Sequence, residues 1–267
     1  MKIMIAPIKK GVVFLSVLVI FIIHSSFLTI SGGKMNGSFL AETTEEARMR
    51  SEFLSLTNPF LHGWETHSFY TSKMTIYDSL KLDMAGLSRD AFVYGLKGLD
   101  RLILEGRADK QHILSIIDFS QPSCQKRLYV IDLDSYSLLF HTWVAHGRNS
   151  GGETANAFSN KPSSHKSSLG FYLTGDTYRG KHGYSLRLEG LEKGINDNAL
   201  RRAIVVHGAD YVNESMASRL GYIGRSQGCP AIPKTLYRPI IDNIKEGSCL
   251  FIYYPSEKYL QSSPLLN

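Results

Sequence analysis

Cysteine is scarce in this sequence, and its few cysteines do not form a metal or redox motif. There are 3 among 267 residues, Cys124, Cys229 and Cys249, and no two have the C-x-x-C spacing of zinc ribbons or thioredoxin-type sites. An odd number leaves at least one thiol unpaired, or paired between chains. In an oxidising compartment an unpaired thiol is a liability unless it is used. The count is therefore a first indication of a nucleophile.

A strong excess of one charge is also lacking. The chain has 30 basic and 24 acidic residues, and without Lys2, Lys9 and Lys10 the basic excess falls to 3. This is too small to make nucleic acid the expected partner. Gly and Pro number 23 and 9, which excludes collagen-like and low-complexity classes. The 14 Tyr and 13 Phe favour a β-rich fold.

Long apolar runs are absent apart from one near the N-terminus. Lys9 and Lys10 precede Gly11–Ile23, a run of 13 residues that is typical of a secretory signal and short for a membrane span. Extended to Ile30, the run reaches about 20 residues, the length that an uncleaved anchor over 11–30 needs. No cysteine follows it that could be lipid-modified. We expect export to the cell envelope (periplasm or cell wall), with 1–33 as signal peptide or anchor.

Residues 34–110 are expected to form a linker and a helical segment. Ser88 is a candidate N-cap, and Gly106 would end the helix. Its apolar residues recur at helical spacing, at Ala91, Phe92, Leu96, Leu99, Leu102 and Ile103. We interpret this helix as a packing element of a small N-terminal subdomain.

The pattern changes at Ile113, and 111–256 is predicted to be a mostly β domain followed by a tail, 257–267. The predicted strands are 113–119, Leu128–Leu133, Ser137–Val144, Phe171–Thr174, Tyr184–Leu188, Ala203–His207 and Ser248–Tyr254. The second and third of these form a hairpin. A short helix is predicted from the N-cap Asn213 to Leu220, with Met216 and Leu220 on one face and Gly221 after its end. Another runs from Pro239 to Gly247.

The candidate catalytic residues lie in two short stretches. Strand 203–206 is expected to deliver His207 at its end, with a turn at Gly208, and Cys229 lies in a Ser-x-Gly-Cys turn. A thiol nucleophile needs a base within hydrogen-bond reach and donors for an oxyanion. His207 would take the proton of Cys229, which predicts a thiolate–imidazolium pair at neutral pH. Gly228 would let its N–H approach a substrate carbonyl.

His-Gly followed by Ser-x-Gly-Cys resembles the signature of the murein L,D-transpeptidase catalytic domain family, cysteine enzymes that cross-link peptidoglycan. The resemblance covers about 113–254. It includes the stretches Val144–Arg148, Ser168–Gly175, Lys181–Arg187 and Asn196–Ala199. In the better-known branch an Arg or Asn follows the Cys. Here Pro230 follows it, Arg225 precedes it, and the interval between His207 and Ser226 is longer.

The resemblance implies a fold, a reaction and roles for individual residues. The fold is mainly β, an L,D-transpeptidase-like β-sandwich with short helices, and α+β overall with the helical N-terminal segment. Cys229 is the nucleophile, His207 the base, the Gly208 carbonyl orients the imidazole, and Ser226 and Gly228 shape the oxyanion loop. The implied reaction releases D-Ala from a tetrapeptide stem through a Cys thioester and forms 3→3 cross-links. It requires no metal or organic cofactor.

Two alternatives to transpeptidation stay open. An L,D-carboxypeptidase would resolve the same thioester with water, and a non-catalytic envelope protein would only bind peptidoglycan through the same groove. The expected partner in each case is the peptide stem, and the sequence does not indicate an oligomeric state.

Further residues are candidates for substrate binding. Arg225 would contact a stem carboxylate, and His182, Tyr184 and Arg187 would line the donor groove or lie on the strand surface. Cys124 and Cys249 are interpreted as structural. A zinc site at His207 and Cys229 lacks third and fourth ligands.

Overall fold

The structure is a computed structural model that describes residues 73–267. The predicted signal or anchor, and the linker up to residue 72, lie outside the described residues. Within 73–267, no helix is long and apolar enough to cross a membrane.

The described chain alternates short helices with a large set of strands. It begins with helical residues 73–79. The helices that follow are α1 (Arg89–Leu104), α2 (Glu214–Leu220), α3 (Tyr237–Ile244) and α4 (Glu257–Ser262). The strands are β1 (Lys110–Asp118), β2 (Leu128–Asp132), β3 (Ser137–Thr142), β4 (Gly170–Gly180), β5 (Gly183–Gly190), β6 (Val205–Ala209), β7 (Ala231–Pro233) and β8 (Ser248–Tyr253).

The strands form one 8-stranded sheet in the order β3-β2-β1-β8-β4-β5-β6-β7. Strand β8 pairs parallel with β1, β7 pairs parallel with β6, and the other neighbours are antiparallel. The mainly β fold with short helices is confirmed, and so is the predicted hairpin, which is β2–β3.

Helix α1 forms where the apolar spacing predicts it. The Ser88 side chain accepts a hydrogen bond from the N–H of Ala91 at 3.0 Å, which satisfies one of the free donors of the first turn. The apolar face is buried, apart from the half-buried Ile103, and belongs to the same core as the sheet. Gly106, with φ +64°, follows the C-cap Glu105. The helix therefore packs into the sheet's own core rather than into a separate subdomain.

Several predicted boundaries differ from the structure near the site. Strand β6 begins at Val205, because Ala203 has φ +52° and lies in a turn. His207 and Gly208 are consequently strand residues, so the expected turn at Gly208 is wrong. Helix α2 has the predicted N-cap Asn213 and ends at Gly221, but Leu220 is 49% exposed and does not share a buried face with Met216.

Two elements were not predicted. Strand β7 holds only Ala231–Pro233, and α4 lies in the predicted tail. Tyr259, Leu265 and Leu266 of this tail are buried in the core.

Candidate active site

Strand pairing brings the two candidate catalytic residues together. In the parallel β6–β7 register, His207 is opposite Ala231. Cys229 precedes Ala231 by two residues in the loop that leads into β7, and the His207 N–H donates to the Pro230 carbonyl at 3.4 Å. Both residues line a cavity of about 560 Å³.

The loop before β7 is tied together around Ser226. The Ser226 hydroxyl donates to the Cys229 carbonyl at 2.6 Å and accepts from the Gly228 N–H at 3.0 Å. Gly228 has φ +123°, a conformation that favours glycine. These bonds hold Ser226 and Gly228 in one turn with Cys229.

A second segment, residues 145–148, supports this loop from outside. Its backbone pairs with the loop through Ser226 N–H to His146 O (2.9 Å), Arg148 N–H to Ser226 O (2.7 Å) and Ala145 N–H to Ala231 O (2.8 Å). A Cβ on Gly147 would lie 3.0 Å from the Gly228 Cα and 2.5 Å from the His165 carbonyl oxygen. Glycine is therefore needed there for the two segments to approach.

Segment 145–148 is itself held in place by a buried arginine, Arg127. Arg127 is fully buried, and its guanidinium donates to the Val144 carbonyl at 3.0 and 3.1 Å and to His146 Nδ1 at 2.7 Å. Burial and the adjacent guanidinium lower the pKa of His146 to about 4. His146 is thus neutral, and its Nε2–H points to the Gly151 carbonyl.

The Cys229 thiol lies against the backbone that enters β6. It donates to the Ala203 carbonyl at 3.6 Å. Burial raises the pKa of Cys229, while the Val205 N–H and the charge of Arg202 oppose this rise. The positive φ of Ala203 shapes the turn that carries this carbonyl.

His207 is oriented by its own strand. Its Nδ1 donates to the Gly208 carbonyl at 3.1 Å. Because a carbonyl only accepts, Nδ1 carries the proton, and Nε2 of the neutral ring is free to take one. Burial lowers the pKa of His207, the bond to Gly208 raises it, and the neighbouring His182 lowers it.

The pKa shifts of the pair both favour the neutral forms, a thiol and an imidazole. This differs from the thiolate–imidazolium pair expected from the sequence. The thiol hydrogen points to Ala203 rather than to His207. Proton transfer to His207 therefore requires that this hydrogen bond be broken.

The loop that presents Cys229 carries the backbone N–H groups of Gly228 and Cys229. The Gly228 N–H already donates to the Ser226 hydroxyl. In the described part of the chain, the Cys229 N–H has no acceptor. Cys229 itself therefore offers the free donor.

Of the predicted substrate-binding residues, His182 and Arg225 line the cavity. The His182 ring stacks on His207, with centroids 4.2 Å apart. Arg225 donates to the Gly151 carbonyl at 2.9 Å and to the Arg148 carbonyl at 3.3 Å. Tyr184 and Arg187 lie outside the cavity lining, where the Tyr184 hydroxyl donates to Asp242 and Arg187 packs over the Tyr178 ring.

Sequence reasoning missed other residues of the cavity. Arg202, Lys181, His165, Tyr178 and Tyr211 line it together with the predicted residues. Lys181 belongs to one of the stretches that carry the family resemblance, but only the folded chain brings Lys181 and Arg202 into one cavity with Cys229. No Asp or Glu is among the described residues that line this cavity.

The other cysteines lie away from the cavity. Cys249 is fully buried in β8, Cys124 is half-buried, and all three described cysteines are free thiols. Residues 73–267 contain no cluster of His, Cys, Asp or Glu that could hold a metal ion.

A family model described as the L,D-transpeptidase catalytic domain matches residues 83–253, more than half of the chain. No curated protein sequence matches the chain.

Among solved structures, the chain is similar to an L,D-transpeptidase from Mycobacterium smegmatis (12% identity, 54% of this chain and 59% of that chain covered, TM-score 0.33). It is also similar to the helical cell shape determining protein Pgp2 from Campylobacter jejuni (13%, 64% and 62%, TM-score 0.34). A third is Bd1075 of Bdellovibrio bacteriovorus (16%, 57% and 53%, TM-score 0.34). The chain thus covers 53% to 62% of the length of these three structures.

Proposed function

The chain belongs to the L,D-transpeptidase catalytic domain family, and we propose that it transfers an acyl group from a peptidoglycan tetrapeptide stem through a thioester on Cys229. The observation that carries this proposal is the placement of Cys229 and a backbone-oriented His207 in one cavity. Export to the cell envelope, where such stems are found, is part of the same proposal.

In the first half-reaction, Cys229 Sγ attacks the carbonyl that joins the third stem residue, diaminopimelate, to the terminal D-Ala. His207 Nε2 takes the thiol proton as the new C–S bond forms. The Cys229 N–H donates to the oxyanion, and the Gly228 N–H joins it when the Ser226 hydroxyl turns away. His207 then gives its proton to the leaving nitrogen as the C–N bond breaks, and D-Ala departs.

In the second half-reaction, an amine of another stem attacks the thioester and gives a 3→3 cross-link. His207 takes a proton from this amine, and the proton returns to the sulfur as Cys229 leaves. Water in place of the amine gives a tripeptide stem and makes the protein an L,D-carboxypeptidase.

The charge of the cavity supports a stem as substrate. Its lining includes Lys181 and Arg225, without an acidic side chain among the described residues. A tetrapeptide stem carries free carboxylates, and these are the groups that cationic side chains bind best.

Product analysis tests the proposal and separates its alternatives. The full-length protein is incubated with a tetrapeptide-stem muropeptide, and the products are followed by mass spectrometry. We expect a dimer formed with loss of D-Ala. A tripeptide product alone would show that the protein is an L,D-carboxypeptidase, and binding without turnover would show that it is a non-catalytic binding protein.

A further inference from the structure

We propose that Arg202 is the fixed positive charge that stabilises the Cys229 thiolate. Arg202 lines the same cavity as Cys229 and directly precedes Ala203, whose carbonyl accepts the thiol hydrogen. A Cβ on Gly228, the residue before Cys229, would lie 3.2 Å from Arg202 Nη2. The guanidinium is thus packed against the loop that presents the nucleophile. This inference rests on the proposed function, because it takes Cys229 as the nucleophile.

The guanidinium is held in place by neutral acceptors. Nη1 donates to the Ser159 carbonyl at 2.8 Å and to the Ser168 hydroxyl at 3.0 Å. Nη2 donates to the Lys166 carbonyl and, at 3.5 Å, to the Ser164 hydroxyl. These bonds fix the orientation of the Arg202 guanidinium. They do not neutralise its charge, since none of the acceptors is a carboxylate.

No other anion in the described residues competes for this charge. Arg202 has no salt bridge there, and the two acidic groups that interact with it are Tyr172 and Cys229. Burial raises the pKa of Tyr172 well above its usual range, so its hydroxyl stays neutral. The thiolate of Cys229 is therefore the anion that Arg202 would neutralise.

The imidazole of His207 is poorly suited to this role. His207 as a residue is 2% exposed, and burial together with the stacked His182 lowers the pKa of His207. An imidazolium there forms only as a transient of proton transfer. A guanidinium, by contrast, remains charged throughout the working pH range.

Several other titratable groups face the cavity. They are His165, Tyr178, Lys181, His182, His207, Tyr211 and Arg225. None of these side chains lowers the pKa of Cys229, whereas Arg202 does. Lys181 is therefore a suitable control, a cation that lines the same cavity but does not lower the pKa of Cys229.

The test is the pH dependence of Cys229 alkylation by iodoacetamide in the full-length protein. Peptide mass spectrometry reads Cys229 separately from Cys124 and Cys249, and thermal melting shows that each variant is folded. Arg202→Gln should raise the midpoint and slow alkylation at neutral pH about tenfold, the effect of one pKa unit. Arg202→Lys keeps the charge and should stay within about threefold of the wild type. Lys181→Gln should leave the midpoint unchanged.

Three results would overturn the inference. One is an alkylation midpoint in folded Arg202→Gln that equals the wild-type midpoint. Another is an equal rise of the midpoint in Arg202→Lys and Arg202→Gln, which would show that the hydrogen bonds of Arg202, and not its charge, set the pKa of Cys229. The third is a rise of one pH unit in the alkylation midpoint of His207→Asn, which would show that the His207 imidazolium stabilises the thiolate. This variant can be measured even if Arg202→Gln does not fold. Alkylation of Cys229 needs no turnover, so it can fail to support the role of Arg202 while the proposed function still holds. The proposed function is tested separately, by donor turnover in Cys229→Ala.

Discussion

At the scale of single residues, backbone groups set the starting protonation of the reactive pair. The Gly208 carbonyl fixes the tautomer of His207, and the Ala203 carbonyl holds the thiol hydrogen of Cys229. Both groups are neutral before reaction because burial disfavours their charged forms. In the proposed reaction, the neutral His207 ring is thus ready to accept a proton at neutral pH, and the stacked His182 helps to keep it neutral.

Replacing His182 by Phe should shift the pH profile of acylation. A phenyl ring keeps the stack on His207 but removes the nearby charge that lowers the pKa of His207. The pKa of His207 then rises, more of the base is protonated at a given acidic pH, and the acid limb of the rate profile moves to higher pH. The measurement is D-Ala release against pH.

The matched control for this prediction is His112→Phe, an exposed histidine of β1. Its profile should coincide with that of the wild type. An acid limb in His182→Phe that stays in place, or that moves to lower pH, would contradict the role given to the stack.

At the scale of elements, α1 is docked on the sheet at a glycine. A Cβ on Gly98 would lie 2.1 Å from the Phe171 ring of β4. Gly98→Ala should gain about 1 kcal/mol of helix propensity. The overlap with a fully buried ring outweighs this gain, so we expect a net loss of about 1–3 kcal/mol in the free energy of unfolding.

Urea denaturation measures this loss, with Gly152→Ala as the control. A Cβ on Gly152 meets no atom within 4 Å, so its midpoint should remain close to that of the wild type. A stabilised Gly98→Ala protein would show that α1 is not packed on Phe171 as the structure has it.

The elements also show what the sequence could predict. Helix α1 was predictable because its seven buried residues follow one helical face and Ser88 caps it. Strand β7 was not, since three residues carry no period and Pro233 argues against an inner strand. Its position at the edge of the sheet is where proline is tolerated.

The same limit applies to the site. The spacing of His207 and Cys229 indicates a thiol with its base, and the structure places both in one cavity. An alternating apolar pattern does not reveal the left-handed φ of Ala203. The sequence therefore predicts that β6 begins at Ala203, whereas it begins at Val205. The role of Arg202 could not be predicted, because Arg202 and Cys229 are far apart along the chain. The β6–β7 pairing brings them close together.

At the scale of the whole molecule, a buried carboxyl joins the C-terminal residues to the sheet. Glu192 is fully buried and accepts from the Phe171 N–H at 2.7 Å, from the Tyr259 hydroxyl at 3.2 Å and from the Ser263 hydroxyl. Burial raises the pKa of Glu192, and the three hydrogen bonds only partly offset this rise. Folding therefore favours the protonated carboxyl.

This shift predicts a pH dependence of stability. A carboxyl whose pKa is raised by folding stabilises the protein fully below its unfolded pKa, and the contribution is lost as pH rises through the folded pKa. The unfolding free energy of the wild type, relative to Glu192→Gln, should therefore fall as pH rises above about 4.3. Urea midpoints at a series of pH values measure it.

The exposed Glu189→Gln in β5 is the control, and its difference from the wild type should not show this fall. A difference between wild type and Glu192→Gln that grows with pH would show that the carboxyl is stabilised in its charged form instead.

The most direct measurement for the molecule as a whole is donor turnover by Cys229→Ala, with Cys124→Ala as its control. Both full-length proteins and the wild type are mixed with a tetrapeptide-stem muropeptide, and D-Ala release and the mass of the Cys229 peptide are recorded. We predict D-Ala release and an acyl adduct on Cys229 in the wild type and in Cys124→Ala, and neither in Cys229→Ala. Full donor turnover by Cys229→Ala would contradict acyl transfer through the Cys229 thioester.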